Sequence, residues 1–149
     1  MKCVLDTNVV LDWLVFDDSL LKILHLAVRE SRVIIVTHPS AIEELRRVLD
    51  YPQLALDPSL KRTVLQTYES HTSQPSSAQP QPLERADLPK GFPRCRDADD
   101  DHFLALAYRS GADALISRDN AVLALKRRSE KFGFKIMNVQ QLNATLQRV

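Results

Sequence analysis

The chain has 149 residues, a length typical of one domain, with 20 basic and 19 acidic side chains and a formal charge of +1. This balance argues against a protein that coats nucleic acid through bulk charge, although it leaves room for local basic patches. The three glycines, Gly91, Gly111 and Gly133, lie too far apart to form a dinucleotide-binding or Walker-type phosphate loop, which excludes both classes of site.

The N-terminal segment predicts a buried strand and no export signal. Cys3-Val4-Leu5 is a short apolar run that meets the carboxylate of Asp6 too early for the apolar core of a signal peptide. No apolar run approaches the ~20 residues of a membrane span, and the two cysteines make no disulfide framework. We therefore expect a cytoplasmic protein that does not enter a membrane.

The rest of the chain alternates between short apolar runs and amphipathic segments. Runs at 33–36, 114–116 and 134–137 lack polar–apolar alternation, as strands do when both faces of a parallel sheet are covered. Apolar residues at helical spacing fall between these runs in three sets: Leu20, Leu21, Leu24 and Val28; Ile42, Leu45, Val48 and Leu49; and Phe103, Leu104, Ala107 and Tyr108. This alternation predicts an α/β fold with right-handed crossovers.

Local signals predict two helix starts and one loop. Ser40 with Glu43 three residues later predicts a capping box, and Asp57 followed by Pro58 predicts an N-cap and the first helical residue. Residues 72–93 contain five prolines among serines and glutamines, with few apolar residues. Such a segment buries too little surface to offset ordering, so we predict a mobile surface loop inside one domain that spans residues 1–149.

Acidic residues recur where predicted strands end and predicted helices begin. Asp6 ends the first strand, Asp119 follows the third, and Glu44 lies in the helix after the second. The start of the helix that contains Phe103 adds four more acids: Asp97, Asp99, Asp100 and Asp101. Because ligands of open α/β sheets bind at the carboxyl ends of the strands, we expect these carboxylates to converge. Each also has a simpler interpretation, since acids at helix N-termini commonly cap the helix and Glu44 alone could be a surface charge.

Converging carboxylates favour a hard divalent cation. Close ionised carboxylates raise one another's pKa, and a bound cation relieves that repulsion. Oxygen ligands with few histidines or thiols among them suit Mg²⁺ or Mn²⁺. Such an ion can hold a water for attack on a phosphodiester and neutralise the charge that builds up on the phosphate oxygens.

Four motifs, taken in order along the chain, resemble those of one known family. Val4-Leu5-Asp6-Thr7-Asn8-Val9 is similar to a D-T-N-V start, and Glu44-Leu45-Arg46-Arg47-Val48-Leu49 to an E-L-x-x-V-L helix. Residues 96–107 resemble the R-D-P-D-D-x-x-F-L-A-L-A motif of a bacterial subgroup, and Ile116-Ser117-Arg118-Asp119 resembles T-x-D. The family is the PIN domain, whose nucleases include toxins of bacterial and archaeal toxin–antitoxin pairs. The resemblance implies a three-layer α/β/α domain with a mostly parallel, Rossmann-like central sheet.

The resemblance also implies an acidic quartet, formed by Asp6, Glu44, Asp100 and Asp119. Asp6 and Asp100 would bind Mg²⁺ or Mn²⁺ directly, and Asp119 would bind it directly or through water. Glu44 would orient or deprotonate the attacking water. The polar residues Asn8 and Ser117 occupy positions that support such sites.

Three consecutive aspartates leave the register of the third acid open. Asp100 is preferred because Ala107 then lies seven residues later, as the family spacing D-x-x-(I/F)-x-x-x-A requires. Asp97 is the second choice and Asp101 the third. Glu43 is assigned to the capping box rather than to the quartet.

The resemblance implies metal-dependent hydrolysis of RNA phosphodiester bonds by an endoribonuclease toxin. The expected partners are the RNA substrate, a cognate antitoxin and a second copy of the chain in a homodimer. Residues 121–149 carry six basic side chains and one acidic, which favours a patch for the RNA backbone but equally suits a solvated helix face. The candidate backbone contacts are Arg46, Arg47, Lys126, Arg127 and Arg128.

Two alternatives remain open at this point. One is a catalytically silent PIN-like module that binds RNA or protein through the same fold. The other is an aspartyl-phosphate phosphatase with Asp6 as nucleophile, although Asn8 stands where such enzymes place a second aspartate.

Overall fold

A five-stranded parallel sheet forms the centre of the computed structural model, which describes residues 1–73 and 87–148. The strands are β1 (Lys2–Leu5), β2 (Ile34–Val36), β3 (Thr72–Ser73), β4 (Ala114–Ile116) and β5 (Lys135–Met137). Their order across the sheet is β3-β2-β1-β4-β5, and each neighbouring pair is parallel. The predicted parallel sheet is confirmed, with β1 at its centre and β2 and β4 on either side of it.

The helices of the described residues connect these strands. The α-helices are α1 (Thr7–Leu14), α2 (Lys22–Arg29), α3 (Pro39–Leu49), α4 (Pro58–Ser70), α5 (Asp101–Arg109), α6 (Asn120–Leu123), α7 (Lys126–Glu130) and α8 (Val139–Gln147). Short 3₁₀ helices lie at Ser19–Leu21, Pro52–Leu54 and Ala98–Asp100. Among the described residues, no helix combines the length and the apolar composition that crossing a bilayer requires.

Both faces of the sheet are covered, which gives three layers. Alternate residues of β1 enter different clusters: Cys3 and Leu5 pack with α1, α2, α3, α4 and α8, whereas Val4 packs with α5 and α6. In β4, Ile116 joins the first cluster and Leu115 the second, and both side chains are fully buried. Burial on both faces explains why these strands are continuous apolar runs, and it confirms the predicted α/β/α architecture.

Two predicted helix signals are wrong in their details. The capping box of Ser40 and Glu43 does not form, because α3 already begins at Pro39 and its N-cap is His38, whose Nδ1 accepts the Ser40 N–H at 3.1 Å. Leu20 does not belong to a buried helical face, since it lies in a 3₁₀ turn and is 39% exposed. By contrast, Asp57 caps α4 as predicted and accepts the Leu60 N–H at 2.8 Å.

The segment predicted as a surface loop, residues 72–93, is structured at both of its described ends. Thr72 and Ser73 form β3 at the edge of the sheet, paired with β2. Phe92 is buried and packs against the rings of Tyr108 and Phe132, with centroids 5.3 and 5.1 Å away. Residues 74–86 lie outside the described residues.

Candidate active site

The carboxyl ends of the adjacent strands β1 and β4 bring the first acids together. Asp6 directly follows β1 and is only 3% exposed, and its backbone N–H donates to Ile116 O in β4 at 2.9 Å. The buried Ser117 hydroxyl donates to Asp6 Oδ2 at 2.7 Å and accepts the Asp119 N–H at 3.0 Å. Ser117 therefore connects the acids that follow β1 and β4, which is the supporting position expected for it.

Asp6 and Asp119 also cap the helices that begin beside them. The carboxylate of Asp6 accepts the Asn8 N–H at 3.3 Å at the start of α1, and that of Asp119 accepts the Ala121 N–H at 2.8 Å at the start of α6. The capping interpretation offered for Asp119 is thus correct, Asp6 caps its helix as well, and neither cap competes with a role in the site. Each cap uses Oδ1 and orients the carboxylate at the sheet edge.

Asp100 shows how strongly the acids interact. Burial, the charge of Asp6 and a hydrogen bond with the Asp119 carboxyl raise the pKa of Asp100 to about 8. Burial also raises the pKa of Asp6, against hydrogen bonds from Ser117 and Asn8 that lower it, and the charges of Glu44 and Asp119 raise it further. Asp6, Asp100 and Asp119 therefore form one mutually repelling cluster, in which Asp100 holds a proton at neutral pH.

Glu44 behaves in the opposite way. Its Oε2 accepts a hydrogen bond from the Thr7 hydroxyl and lies 3.5 Å from His102 Nε2. Burial raises the pKa of Glu44, but hydrogen bonds from His102 and Thr7 together with the charges of His102 and Arg47 outweigh burial, so that the pKa falls below its ordinary value. The surroundings thus lower the pKa of Glu44 and raise that of Asp100, so that of these two carboxyl groups Glu44 is the one suited to accept a proton as a base.

An open cleft of about 320 Å³ gives access to these groups. Its acidic lining consists of Asp6, Glu44, Asp97, Asp99 and Asp100, and the remaining lining residues are Thr7, Asn8, Leu11, Val48, Tyr51, Gln53 and Leu54. Asp119 contributes through its contact with Asp100 rather than as a lining residue. The acids predicted from four separate segments therefore meet at one edge of the sheet.

A family model described as the PIN domain matches residues 2–121, which include all four acids. The chain belongs to the PIN domain family. The membership of the PIN domain family predicted from the four motifs is therefore confirmed. No significantly similar protein was found among curated sequences, and none among solved structures. PIN domains are generally metal-dependent nucleases.

The donor chemistry of this PIN domain fits a hard divalent cation. Asp6, Asp100 and Asp119 offer only carboxylate oxygens, the ligands that Mg²⁺ and Mn²⁺ prefer. In residues 1–73 and 87–148, no three His, Cys, Asp or Glu side chains stand in a ready-made ligand arrangement, and Asp100 and Asp119 share a hydrogen bond instead. The raised pKa of Asp100 records the same repulsion that a cation would relieve.

The three aspartates beside Asp100 have distinct roles. Asp97 caps the 3₁₀ helix Ala98–Asp100 by accepting the Asp99 N–H at 3.1 Å, and both Asp97 and Asp99 line the cleft. Asp101 accepts the Cys95 N–H at 2.6 Å and lies 3.8 Å from Arg94. Asp101, the third choice for the ligand, thus holds the preceding loop in place, whereas Asp100 and Asp97, the first and second choices, both line the cleft.

The predicted basic residues are not concentrated at the cleft. Lys126 in α7 donates to Gln141 Oε1 at 2.8 Å, and Arg46 pairs with Glu43 at 3.5 Å on the exposed face of α3. Arg127 and Arg128 share the short helix α7 with Lys126. Arg47 is nearer to the acids, since its charge contributes to the lowered pKa of Glu44.

Sequence reasoning missed the two residues that hold Glu44. Thr7 lies inside the D-T-N motif and His102 inside the aspartate-rich motif, but neither has a role in the inferred quartet. His102 is 19% exposed, and its Nδ1 is buried without a hydrogen-bond partner among the described residues. Only the crossing of α1, α3 and α5 brings these side chains to Glu44, because they are separated by 37 and 58 positions along the sequence.

Proposed function

We propose that this PIN domain is an endoribonuclease that hydrolyses RNA phosphodiester bonds with Mg²⁺ or Mn²⁺. The observation that supports the proposal most directly is the convergence of Asp6, Asp100 and Asp119 at one edge of the sheet, where Asp6 and Asp100 line the cleft and Asp119 contacts Asp100. The similarity of four motifs to those of PIN ribonucleases supports RNA as the substrate. These three aspartates would hold the metal ion.

The bound ion would lower the pKa of a water and neutralise charge on the phosphate oxygens. In the proposed mechanism, Asp6 and Asp119 keep their carboxylates at the sheet edge through Ser117 and their helix caps. Glu44 stays ionised and takes a proton from the attacking water. Because both of its contacts, from Thr7 and His102, fall on Oε2, we assign the proton transfer to Oε1.

The test is cleavage of single-stranded RNA with Mg²⁺ or Mn²⁺ present. The Asp6→Asn substitution is expected to lower the rate by about 10²–10³-fold, as the loss of a central electrostatic group does in other enzymes, and EDTA is expected to abolish cleavage. Asp17→Asn is the matched control, because Asp17 is an exposed aspartate outside the cleft whose φ of 49° asparagine also tolerates. Cleavage that survives EDTA or the Asp6 substitution would contradict the proposal.

We further propose that the protein is the toxin of a toxin–antitoxin pair and that it forms a homodimer. In this proposal the antitoxin covers the carboxylate edge and inserts a basic side chain among the acids. Five carboxylates in one open cleft offer strong complementarity to a cation of that kind. The product of the adjacent gene of the native operon should co-purify with the chain and inhibit RNA cleavage. If it neither binds nor inhibits, the toxin assignment fails and the nuclease assignment stands.

A further inference from the structure

Apolar, aromatic and amide side chains also line the acidic cleft. Beside the carboxylates lie Leu11, Val48 and Leu54, with the ring of Tyr51 and the amide of Gln53 at the surface. Tyr51 is 53% exposed, among the most exposed large apolar side chains in residues 1–73 and 87–148. Binding a metal ion and a phosphate does not require this apolar and aromatic surface.

The backbone that carries Tyr51 is firmly held, although its ring is exposed. The Tyr51 N–H donates to Val48 O at 3.0 Å, and Tyr51 O accepts the Leu54 N–H at 3.1 Å. Pro52 favours the extended conformation found at Tyr51, with φ −63° and ψ 128°. The next turn ends at Ala55 in the left-handed region, with φ 49°. Since only two side-chain angles remain to be fixed, binding to this ring costs little conformational entropy.

The chemistry of the cleft indicates what this surface binds. The ionised acids of the cleft repel the phosphates of a polyanion except where a cation holds them, so the apolar part of the cleft suits an uncharged group of the same substrate. A nucleobase has flat faces that stack on an aromatic ring and a polar edge that pairs with an amide. Tyr51 and Gln53 offer these two groups, and they lie two and four residues after the end of α3, the helix that carries Glu44.

We propose that Tyr51, Leu54 and Gln53 form a subsite for one unpaired base of the RNA, next to the phosphate at the carboxylates. The base stacks on the Tyr51 ring over Leu54, and the Gln53 amide contacts the edge of the base. This inference rests on the proposed ribonuclease function and specifies how the substrate is held there. A paired base cannot enter, because its neighbours in the duplex already cover its faces.

The first test compares steady-state cleavage of single-stranded RNA by variants of the full chain. Base–aromatic stacking contributes about 1–3 kcal/mol, so Tyr51→Ala is expected to raise KM between about 5-fold and about 100-fold with kcat unchanged. Tyr51→Phe keeps the ring and should retain the wild-type KM. Phe16→Ala is the matched control, since Phe16 is an exposed aromatic, at 57%, outside the lining of the cleft.

The second test measures binding without turnover. In the Asp6→Asn background, the Kd for a short RNA is compared with that for the same RNA carrying one abasic nucleotide, placed at each position in turn. At one position, loss of the base and Tyr51→Ala should each weaken binding, while both together weaken it no more than either alone, as expected for groups in direct contact.

The outcomes separate this inference from the proposed function. A KM and Kd that do not respond to Tyr51→Ala, in a chain whose cleavage depends on Asp6, overturn the base subsite and leave the ribonuclease intact. The same result is expected if Tyr51 contacts a protein partner instead of a base. Absence of Asp6-dependent cleavage overturns the proposed function, and the abasic series then still decides whether Tyr51 holds a base.

Discussion

At the scale of single residues, the site is defined by the contrast between two carboxyl groups. Asp100 is pushed toward its protonated form by burial and by Asp6, whereas hydrogen bonds and nearby positive charges together outweigh the burial of Glu44 and lower its pKa. Both groups are carboxylic acids of similar intrinsic pKa, so their different states are produced by their surroundings. The role of Glu44 therefore depends on donors that are not themselves acidic.

Thr7→Val tests this dependence. Valine keeps the shape of threonine at a buried position but removes the hydroxyl that donates to Glu44 Oε2. Because that bond lowers the pKa of Glu44, its loss raises the pKa, so the acid limb of the pH–rate profile should move to higher pH. We expect kcat to fall at low pH and to return to the wild-type value once the pH is high enough to ionise Glu44 fully.

Thr7→Ser is the control, since serine retains a hydroxyl at the same position. Its pH–rate profile should keep the wild-type acid limb. If Thr7→Val lowers activity equally at all pH values, Thr7 has a packing role and does not set the ionisation of Glu44. A thermal unfolding curve for each variant separates the two effects.

At the scale of secondary-structure elements, the sequence predicts most of what depends on local pattern. The four apolar runs are strands, because parallel strands covered on both faces must be apolar throughout. Asp57 caps α4 because its signal, Asp followed by Pro, is contained in two adjacent residues. The same locality explains why Asp6 and Asp119 are correctly predicted at the sheet edge.

Elements that depend on distant partners are predicted less well. β3 is only two residues long, and it forms because Thr72 and Ser73 pair with β2 at the open edge of the sheet. The start of α3 is shifted because the His38 side chain provides a cap, which the Ser-x-x-Glu pattern does not anticipate. Within the site, the contacts of Glu44 were missed for the same reason, since they come from two other helices.

At the scale of the whole molecule, the carboxylates that would bind the metal ion also destabilise the folded chain when no metal is bound. A buried acid whose pKa is raised binds its proton more tightly in the folded chain than in the unfolded chain. For Asp100, the unfolded value is near 3.8 and the folded value about 8. In the absence of metal, its contribution to the free energy of unfolding is therefore fully present below pH ~4 and is lost as the pH rises toward 8.

The Asp100→Asn substitution tests this loss of stability with rising pH. With EDTA present, the melting temperature of the wild type should fall as the pH is raised through this window, because Asp100 must lose its proton beside Asp6. Asparagine has no proton to lose, so the melting temperature of Asp100→Asn should fall less steeply, and the remaining slope reports the other acids. Adding Mg²⁺ should stabilise the wild type more at the upper end of the window than at the lower end, since metal ligands must be deprotonated. Equal slopes for the two proteins in EDTA would show that Asp100 is not held protonated, and the case for a repelling carboxylate cluster would fail with it.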